Sequence, residues 1–510
     1  MKRRMKRLTA LLCTAALCLS ITACGSKDEN KETAKSGKRT DLNVLITDAF
    51  SALDPGNLSL NTDIRLCAQI YEPLYTLDSE GKEIPVLATE YTVSDDQLTW
   101  TFKLREGVKF HNGETLTAQD VVYTINRCME SAYMQDKTEP IDSVSASDDA
   151  TVVITLKAPF SPMLENIASM GIVNEKFAKE HLDDQGLLGF NTCGTGPYMY
   201  KEHTPDVSVA LVSNPDYWDG EPSIKSLNFE QINDESTALT AFEAGELDIA
   251  SIPSASWEDI SSNDAYSSEA YAANHCLYLM LNSQQAPFDN QKVRQAIAYA
   301  MDRQAIIDMA VNGLAAPATS LATPYMFGYQ EEHTSYEYNP EKAKELLAEA
   351  GYADGLDIGS LKTMGGTYFE KVMQVVQGQL QEVGITSQVE GMDGNALVND
   401  CITGNFGLAN MGQNMTQDYD FLKTYFNKEY INGLNMARYE NPEVEALFQE
   451  GASTTDKDAR LTAYTKIEEI TQDACVYIPL FNIQSTVAWN KDLNYKPDVI
   501  NVYYKNVSWK

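Results

Sequence analysis

Side chains able to do chemistry occur throughout this 510-residue chain, but they are not gathered. The five histidines, His111, His181, His203, His275 and His333, are scattered, with no two at metal-ligand spacing. No HExxH, GxSxG, phosphate-loop or EF-hand pattern is present. Gly194-Thr195-Gly196-Pro197-Tyr198 is glycine-rich, but it lacks the Lys-Ser/Thr pair and following helix that would cradle a phosphate. The acidic pairs Asp148-Asp149 and Asp183-Asp184 lie in polar stretches, where carboxylates are solvated rather than poised for acid–base work. Of the nine cysteines none lies in a CxxC pair, which argues against a zinc ribbon or a thioredoxin-type site. Cys128 sits on an apolar helical face and reads as core. The expectation is a protein that binds without transforming: not an enzyme, with no cofactor and no metal.

The elements that would position a binding site are better marked. Leu98, Trp100, Phe102 and Leu104 alternate with polar residues, the period of a half-buried strand. Thr117 with Asp120 predicts a capped helix carrying Val121, Ile125 and Cys128 inward. Asp234 opens and Gly245 closes another helix, before a strand over 247–252. The run Leu277-Tyr278-Leu279-Met280-Leu281 is apolar at every position, as in a strand buried on both faces. Asn339-Pro340 starts a helix that Gly351 ends, and 368–383 predicts a helix followed by a strand over 385–389. Strands alternating with helices point to an open α/β lobe with a largely parallel sheet. The length alone asks for two or more lobes.

The first 26 residues stand apart. Lys2, Arg3, Arg4, Lys6 and Arg7 form a basic segment, and 8–21 is an apolar run too short for an ordinary membrane span. Ile21-Thr22-Ala23-Cys24 resembles a bacterial lipoprotein cleavage box, with Ile21 where Leu is usual. That resemblance implies removal of 1–23 and lipidation of Cys24. Residues 24–40 read as a flexible, solvated tether. Without the five basic residues of the leader, 34 Lys and Arg face 73 Asp and Glu, a formal charge of −39. So acidic a body argues against non-specific binding of nucleic acid or anionic lipid.

Several stretches carry a family resemblance. They are YEPLYTLDSEGKEIPVLATEYTVSDDQLTWTFKLREGVKFHNGETLTAQDVVYTINR at 71–127, GTGPY at 194–198, NPDYWDG at 214–220 and GELD at 245–248. The combination LMLN, APF and VRQAIAYAMDR within 279–303 completes the set. Together they resemble the bacterial extracellular solute-binding proteins of family 5, the oligopeptide, dipeptide and nickel type. These are the capture subunits of ATP-driven (ABC) importers. The implied fold is α/β and type II periplasmic-binding-protein-like, two lobes with a hinge. The first lobe would be 41–273 plus 482–510, with an extra subdomain at about 89–179, and the second 274–481. Crossings between lobes are expected near 275–281 and 476–481.

The implied function is capture of peptides in an interlobe cleft, extracytoplasmic and anchored at the cell membrane only through Cys24. The partners would be permease and ATPase subunits, the chain itself being a monomer. A non-peptide solute (nickel or a metal chelate, a saccharide, an opine-like compound) or a sensor or adhesion lipoprotein on the same fold are the alternatives. The expected ligand-binding set is Phe50 and Ser51 with Gly412, Gln413, Asn414, Met415, Tyr419 and Asp420. Here the chain departs from the family it resembles. Met415 or Asn414 stands where a carboxylate anchors a peptide amine, unless Asp418 or Asp420 serves instead, and Thr363 with Lys362 stands where dipeptide binders carry an Arg. Each charge-assisted contact is worth roughly 1.5–3 kcal/mol, so losing both would weaken dipeptide binding a hundredfold or so. Gln413, Asn414 and Thr416 offer neutral donors and acceptors in their place, or a plain surface loop.

Overall fold

The computed structural model describes residues 39–510 apart from 59, 80, 332, 334 and 499–502. Cys24, the leader 1–23 and all but the end of the tether lie outside the described residues.

The chain first lays down β1 (Asp41–Ile46), the helix Asn61–Ile70, and a short hairpin of β2 (Tyr75–Leu77) and β3 (Glu83–Pro85). β4 (Ala88–Val93), β5 (Thr99–Leu104), β6 (Ile141–Asp148) and β7 (Thr151–Leu156) form a separate antiparallel sheet in the order β4-β5-β7-β6. Its core takes Trp100, Phe102 and Leu104 from the alternating strand, and Val121, Ile125 and Cys128 from the helix Ala118–Glu130. Asp120 accepts from the Thr117 N–H at 2.9 Å, as the capping pattern requires.

β8 (Tyr198–Thr204), β9 (Ser208–Ser213), β10 (Ser226–Gln231), β11 (Ile249–Ser251), β12 (Tyr266–Leu281) and β13 (Ala315–Pro317) follow. β14 (Leu356–Met364), β15 (Ile385–Met392), β16 (Leu408–Asn414), β17 (Tyr477–Asn490), β18 (Leu493–Asn494) and β19 (Ser508–Trp509) complete the set. One eleven-stranded sheet runs β15-β14-β16-β12-β17-β11-β1-β10-β9-β8, with β13 also on β17, while β18 and β19 pair apart. It is mixed rather than largely parallel. Only the pairs made by β1 and by β14 with their neighbours are parallel. The short link between β8 and β9 forces antiparallel pairing, and β12 and β17 traverse the molecule in opposite senses.

β12 and β17 are the crossings, and they are much longer than the apolar runs that announce them. At one end Leu277, Leu279 and Leu281 enter one core of the second lobe while Cys276, Tyr278 and Met280 enter the core on the opposite face. This explains the unbroken apolar run. At the other end β17 gives Val487 and Trp489 to one first-lobe core and Ala488 to the other. Between these ends residues 270–275 and 483–486 are only half-buried, and the pairing slips between Ala272 and Cys276. The sheet is continuous, but its middle is not clamped between cores.

The family-marking segments meet around one carboxylate. Glu72 is 5 % exposed. It accepts from Thr195 Oγ1 at 2.8 Å, Tyr217 OH at 2.6 Å and Trp218 Nε1 at 2.9 Å. GTGPY packs so tightly on the helix before Glu72 that a Cβ on Gly194 would fall 2.0 Å from the Ile70 carbonyl oxygen. His111 is a turn residue, its N–H donating to Gly194 O at 2.9 Å and its Nε2 lying 3.0 Å from Gly196 O. Burial pushes its pKa down to about 4. Removing the Glu72 carboxylate strands three donors inside the protein. Glu72→Ala is expected to lower unfolding free energy by roughly 3 kcal/mol or more, at about 1–3 per unpaired donor, as read by denaturant titration.

Candidate functional site

Four cavities follow one another, each sharing wall residues with the next; the first and third take residues from both lobes, and the second and fourth are lined by the first lobe alone. The first, about 800 Å3, lies between the subdomain (Lys137, Phe160, Glu165) and the second lobe (Thr416, Asp418, Asp420). Asp136 and Lys137 carry the wall into the second, about 240 Å3, over Tyr71 and the helix Asn61–Ile70. Tyr503 leads to the third, about 710 Å3, where Tyr325 of the second lobe faces Tyr271 and Tyr495. Tyr271, Tyr495 and Asp498 join it to the fourth, about 340 Å3, against Arg65 and Ser485 beside the crossing strands. The two largest have the size of small-ligand pockets, roughly 300–1,000 Å3. Tyrosines along the wall present flat apolar faces with polar tips, suited to a solute of mixed polarity.

The subdomain end is rich in carboxylates, and most are already engaged. Asp418 receives Arg460 Nη2 at 2.7 and 2.6 Å on its two oxygens, with the guanidinium 4.5 Å from the Phe327 ring centre. Asp420 receives Lys423 Nζ at 2.7 Å, and that ammonium lies 5.2 Å from the ring of Phe160 across the cavity. Asp420 Oδ1 is buried and has no partner among the described residues. Burial raises the Asp420 pKa despite Lys423. Glu165 closes the seam. Its Oε1 accepts from the Gln417 N–H at 2.8 Å, while Gln417 Nε2 donates to Asp78 O at 2.6 Å. Burial, then the neighbouring Asp418, raise Glu165 to about 7, against a smaller lowering by Lys137.

At the hinge end Arg65 Nη2 donates to the Tyr504 hydroxyl, and its Nε is buried with no partner among the described residues. No group of three or more His, Cys, Asp or Glu among the described residues is arranged to hold a metal ion. The six cysteines of the described body are all buried and free.

Residues 82–433 match the family described as bacterial extracellular solute-binding proteins, family 5 middle. The glutathione-binding protein GsiB of Escherichia coli strain K12 is 30% identical over 475 residues, covering 89% of this chain and 91% of its own. The chain belongs to family 5 of the bacterial extracellular solute-binding proteins. The ABC transporter substrate binding protein CtaP of Listeria monocytogenes superposes with a TM-score of 0.85 at 26% identity, covering 93% of this chain and all of its own. DppA of Helicobacter pylori, solved with the peptide STSA, gives 0.76 at 25% identity over 92% of this chain and 98% of its own. The two-lobed, type II periplasmic-binding-protein architecture is that of these neighbours.

Within this family member the expected ligand set is only partly at the cleft. Asp420 forms part of the wall. Tyr419 does not: it is 1 % exposed, stacked on Tyr464 at 5.0 Å, with its hydroxyl donating to Glu468. Met415, 6 % exposed, is also core, and Asn274 holds its backbone on both sides. Gly412 lies opposite Leu277, where a Cβ would strike the His275 ring at 2.5 Å; its smallness serves packing. Gln413 and Asn414 end β16 opposite Cys276 and His275, off the four cavities. Phe50 packs edge-on against Phe190 and His203, and Ser51 gives both its N–H and hydroxyl to Asp63. Lys362 is spent on Asp400 at 2.6 Å and Asn405 O at 2.7 Å, and Thr363 is fully buried. The sequence reading missed Glu165, Lys137, Arg65, Tyr271 and Tyr503. Glu165, Lys137, Arg65 and Tyr271 sit on partly exposed faces of otherwise ordinary helices or strands, and Tyr503 lies in a loop, so none carries a local sequence signal.

Glu165 gives closure a pH dependence of definite sign. In an open form, where it would face water, it would titrate at its ordinary value near 4.5; in the environment seen here it is raised to about 7. Protonation therefore favours closure. The advantage is full below about 4.5, is lost as pH rises through about 7, and is flat above, with a slope of at most about tenfold per pH unit. Asp418, Lys137, Asp420, Lys423, Asp136, Glu139 and Glu429 share the cavity wall and set the background. Dyes on Val207→Cys and Met309→Cys, both exposed positions, would report the closed fraction by energy transfer. It should fall over that range in the parent and stay level in Glu165→Gln.

Proposed function

We propose that this protein is the solute-capturing lipoprotein of an ABC importer and that its solute is a short peptide. The observation that carries the reading is the run of tyrosine-walled cavities, the two largest lined from both lobes, beside the two strands that cross between the lobes. The named ligands of related proteins, glutathione for GsiB and the peptide STSA for DppA, support a peptide-type solute. In this reading 41–273 with 482–510 and 274–481 rotate as two bodies about the half-buried middle of β12 and β17. Solute enters the open cleft, the lobes close over it, and the permease recognises the closed form. Cys24 would carry the lipid that holds the protein at the outer face of the cell membrane.

Closure brings Gln417 to Glu165 and Asp78, and joins Ser161 N–H to Ala452 O at 2.8 Å and Thr455 N–H to Gln97 Oε1 at 2.8 Å. Where the closed form is only a fraction of the population without solute, apparent affinity falls by that fraction. A micromolar solute needs about −8 kcal/mol net, within reach of a few polar anchors in an enclosed cleft. Native mass spectrometry of the full chain, purified without added ligand, should reveal co-purified masses that fragment as peptides of a few residues. A single non-peptide compound in their place overturns the peptide assignment.

A further inference from the structure

We infer that Arg65 selects solutes bearing a free carboxylate, receiving that group in the cavity at the hinge end of the cleft. The inference rests on the peptide reading above and names the group that orients the peptide. Arg65 lies on the helix Asn61–Ile70, whose Leu66, Cys67 and Ile70 enter the first-lobe core. The side chain forms part of the wall of the 340 Å3 cavity with Thr47, Tyr271, Ser485, Tyr495 and Asp498.

Arg65 is half-buried, and its surroundings set it apart from the other buried and half-buried cations. Arg127 is paired with Asp54, Arg460 with Asp418 and Lys423 with Asp420. Arg294 and Arg303 spend their N–H groups on backbone carbonyls of 474, 288, 479 and 336. Arg65 has no Asp or Glu within ion-pair distance among the described residues. Among the described residues its side chain makes one hydrogen bond, to the Tyr504 hydroxyl; the Tyr504 ring centre is 5.6 Å away. Its Nε is buried and unpartnered. Asp498 lines the same wall and is not free.

A guanidinium taken out of water without a counter-ion is costly, and its planar fork matches the two oxygens of a carboxylate. A terminal carboxylate entering this cavity supplies both the missing charge and the missing acceptor, with the Tyr271, Tyr495 and Ser485 hydroxyls at hand on the walls. The second-lobe position expected to serve a peptide carboxylate cannot do so, because Thr363 is sealed in the core and Lys362 is tied to Asp400. Recognition of that group has passed to the first lobe.

The test is calorimetry of the full chain with di-, tri- and tetraalanine and their C-terminal amides, in the parent and in Arg65→Met. For the peptide length that binds, the parent should take the acid at least tenfold more tightly than the amide. Arg65→Met should lose that preference while holding the amide within about twofold. Arg65→Gln, which keeps a donor for Tyr504, carries the test if Arg65→Met does not fold. Equal binding of acid and amide by the parent, or a preference that survives both substitutions, overturns the role of Arg65 and leaves the peptide reading standing. No binding of either form at any length overturns the peptide reading and this inference with it.

Discussion

Two antiparallel strands hold the molecule together and also let it move. β12 and β17 pair along most of their length, and each end of the pair is fixed between two apolar cores. Had the lobes been joined by loops, their relative placement would be set only by whatever surfaces met. Paired strands instead restrict them to bending and twisting about one ribbon. The weak point of that ribbon is the stretch where neither strand is buried on both faces and the register slips, between Ala272 and Cys276. Bending there costs little packing, because there is little packing to lose. Hinges are commonly a few residues of this kind.

The cleft runs beside that stretch, and its charges are arranged unequally along its length. At the subdomain end, acidic residues outnumber basic ones, yet Asp418 and Asp420 are each held by a cation of their own lobe. At the hinge end a guanidinium has no such partner among the described residues. A solute with an amine and a carboxylate would therefore meet a pre-satisfied acidic wall at one end and an unsatisfied cation at the other. In the proposed mode the second contact would contribute more to its orientation, since satisfying a half-buried charge that has no counter-ion gains more than competing with an existing pair.

The scaffold was legible in the sequence because its signals are local. Asn339 caps the helix Pro340–Glu349, Asp234 caps Glu235–Glu243, and Trp100 and Phe102 alternate inward as the period requires. The apolar run at 277–281 announced burial on both faces. The length of the crossings was not legible, since Ser267 to His275 reads as polar and small; such residues suit a half-exposed ribbon and carry no strand period. Sheet direction was misread for a related reason: alternation of strands and helices does not reveal that β12 and β17 run through the sheet in opposite senses. The ligand set is only partly at the cavity walls, for a different reason. Tyr419 and Met415 neighbour Asp420 in sequence, but the 3-10 turn at 419–422 and the end of β16 send their side chains to the core while Asp420 reaches the wall. Arg65 sits in a helix whose pattern is ordinary; its importance lies in the counter-ion it lacks, and that is a property of three dimensions.

The contacts made on closure explain why a solute can control it. Among the described residues every ion pair lies within one lobe. The hydrogen bonds that span the cleft at Gln417, Ser161 and Thr455 number five among the described residues, and four of the five donate to neutral acceptors. A net 0.5–1.5 kcal/mol for each gives closure roughly 2–8 kcal/mol, against which stands the ordering of the groups that make them. Such a sum lies close to balance. Had the lobes been joined by buried salt bridges, opening would expose or strand charges and the closed form would persist without solute. With neutral contacts predominating, a solute contributing a few kcal/mol more to the closed than to the open state decides which form prevails.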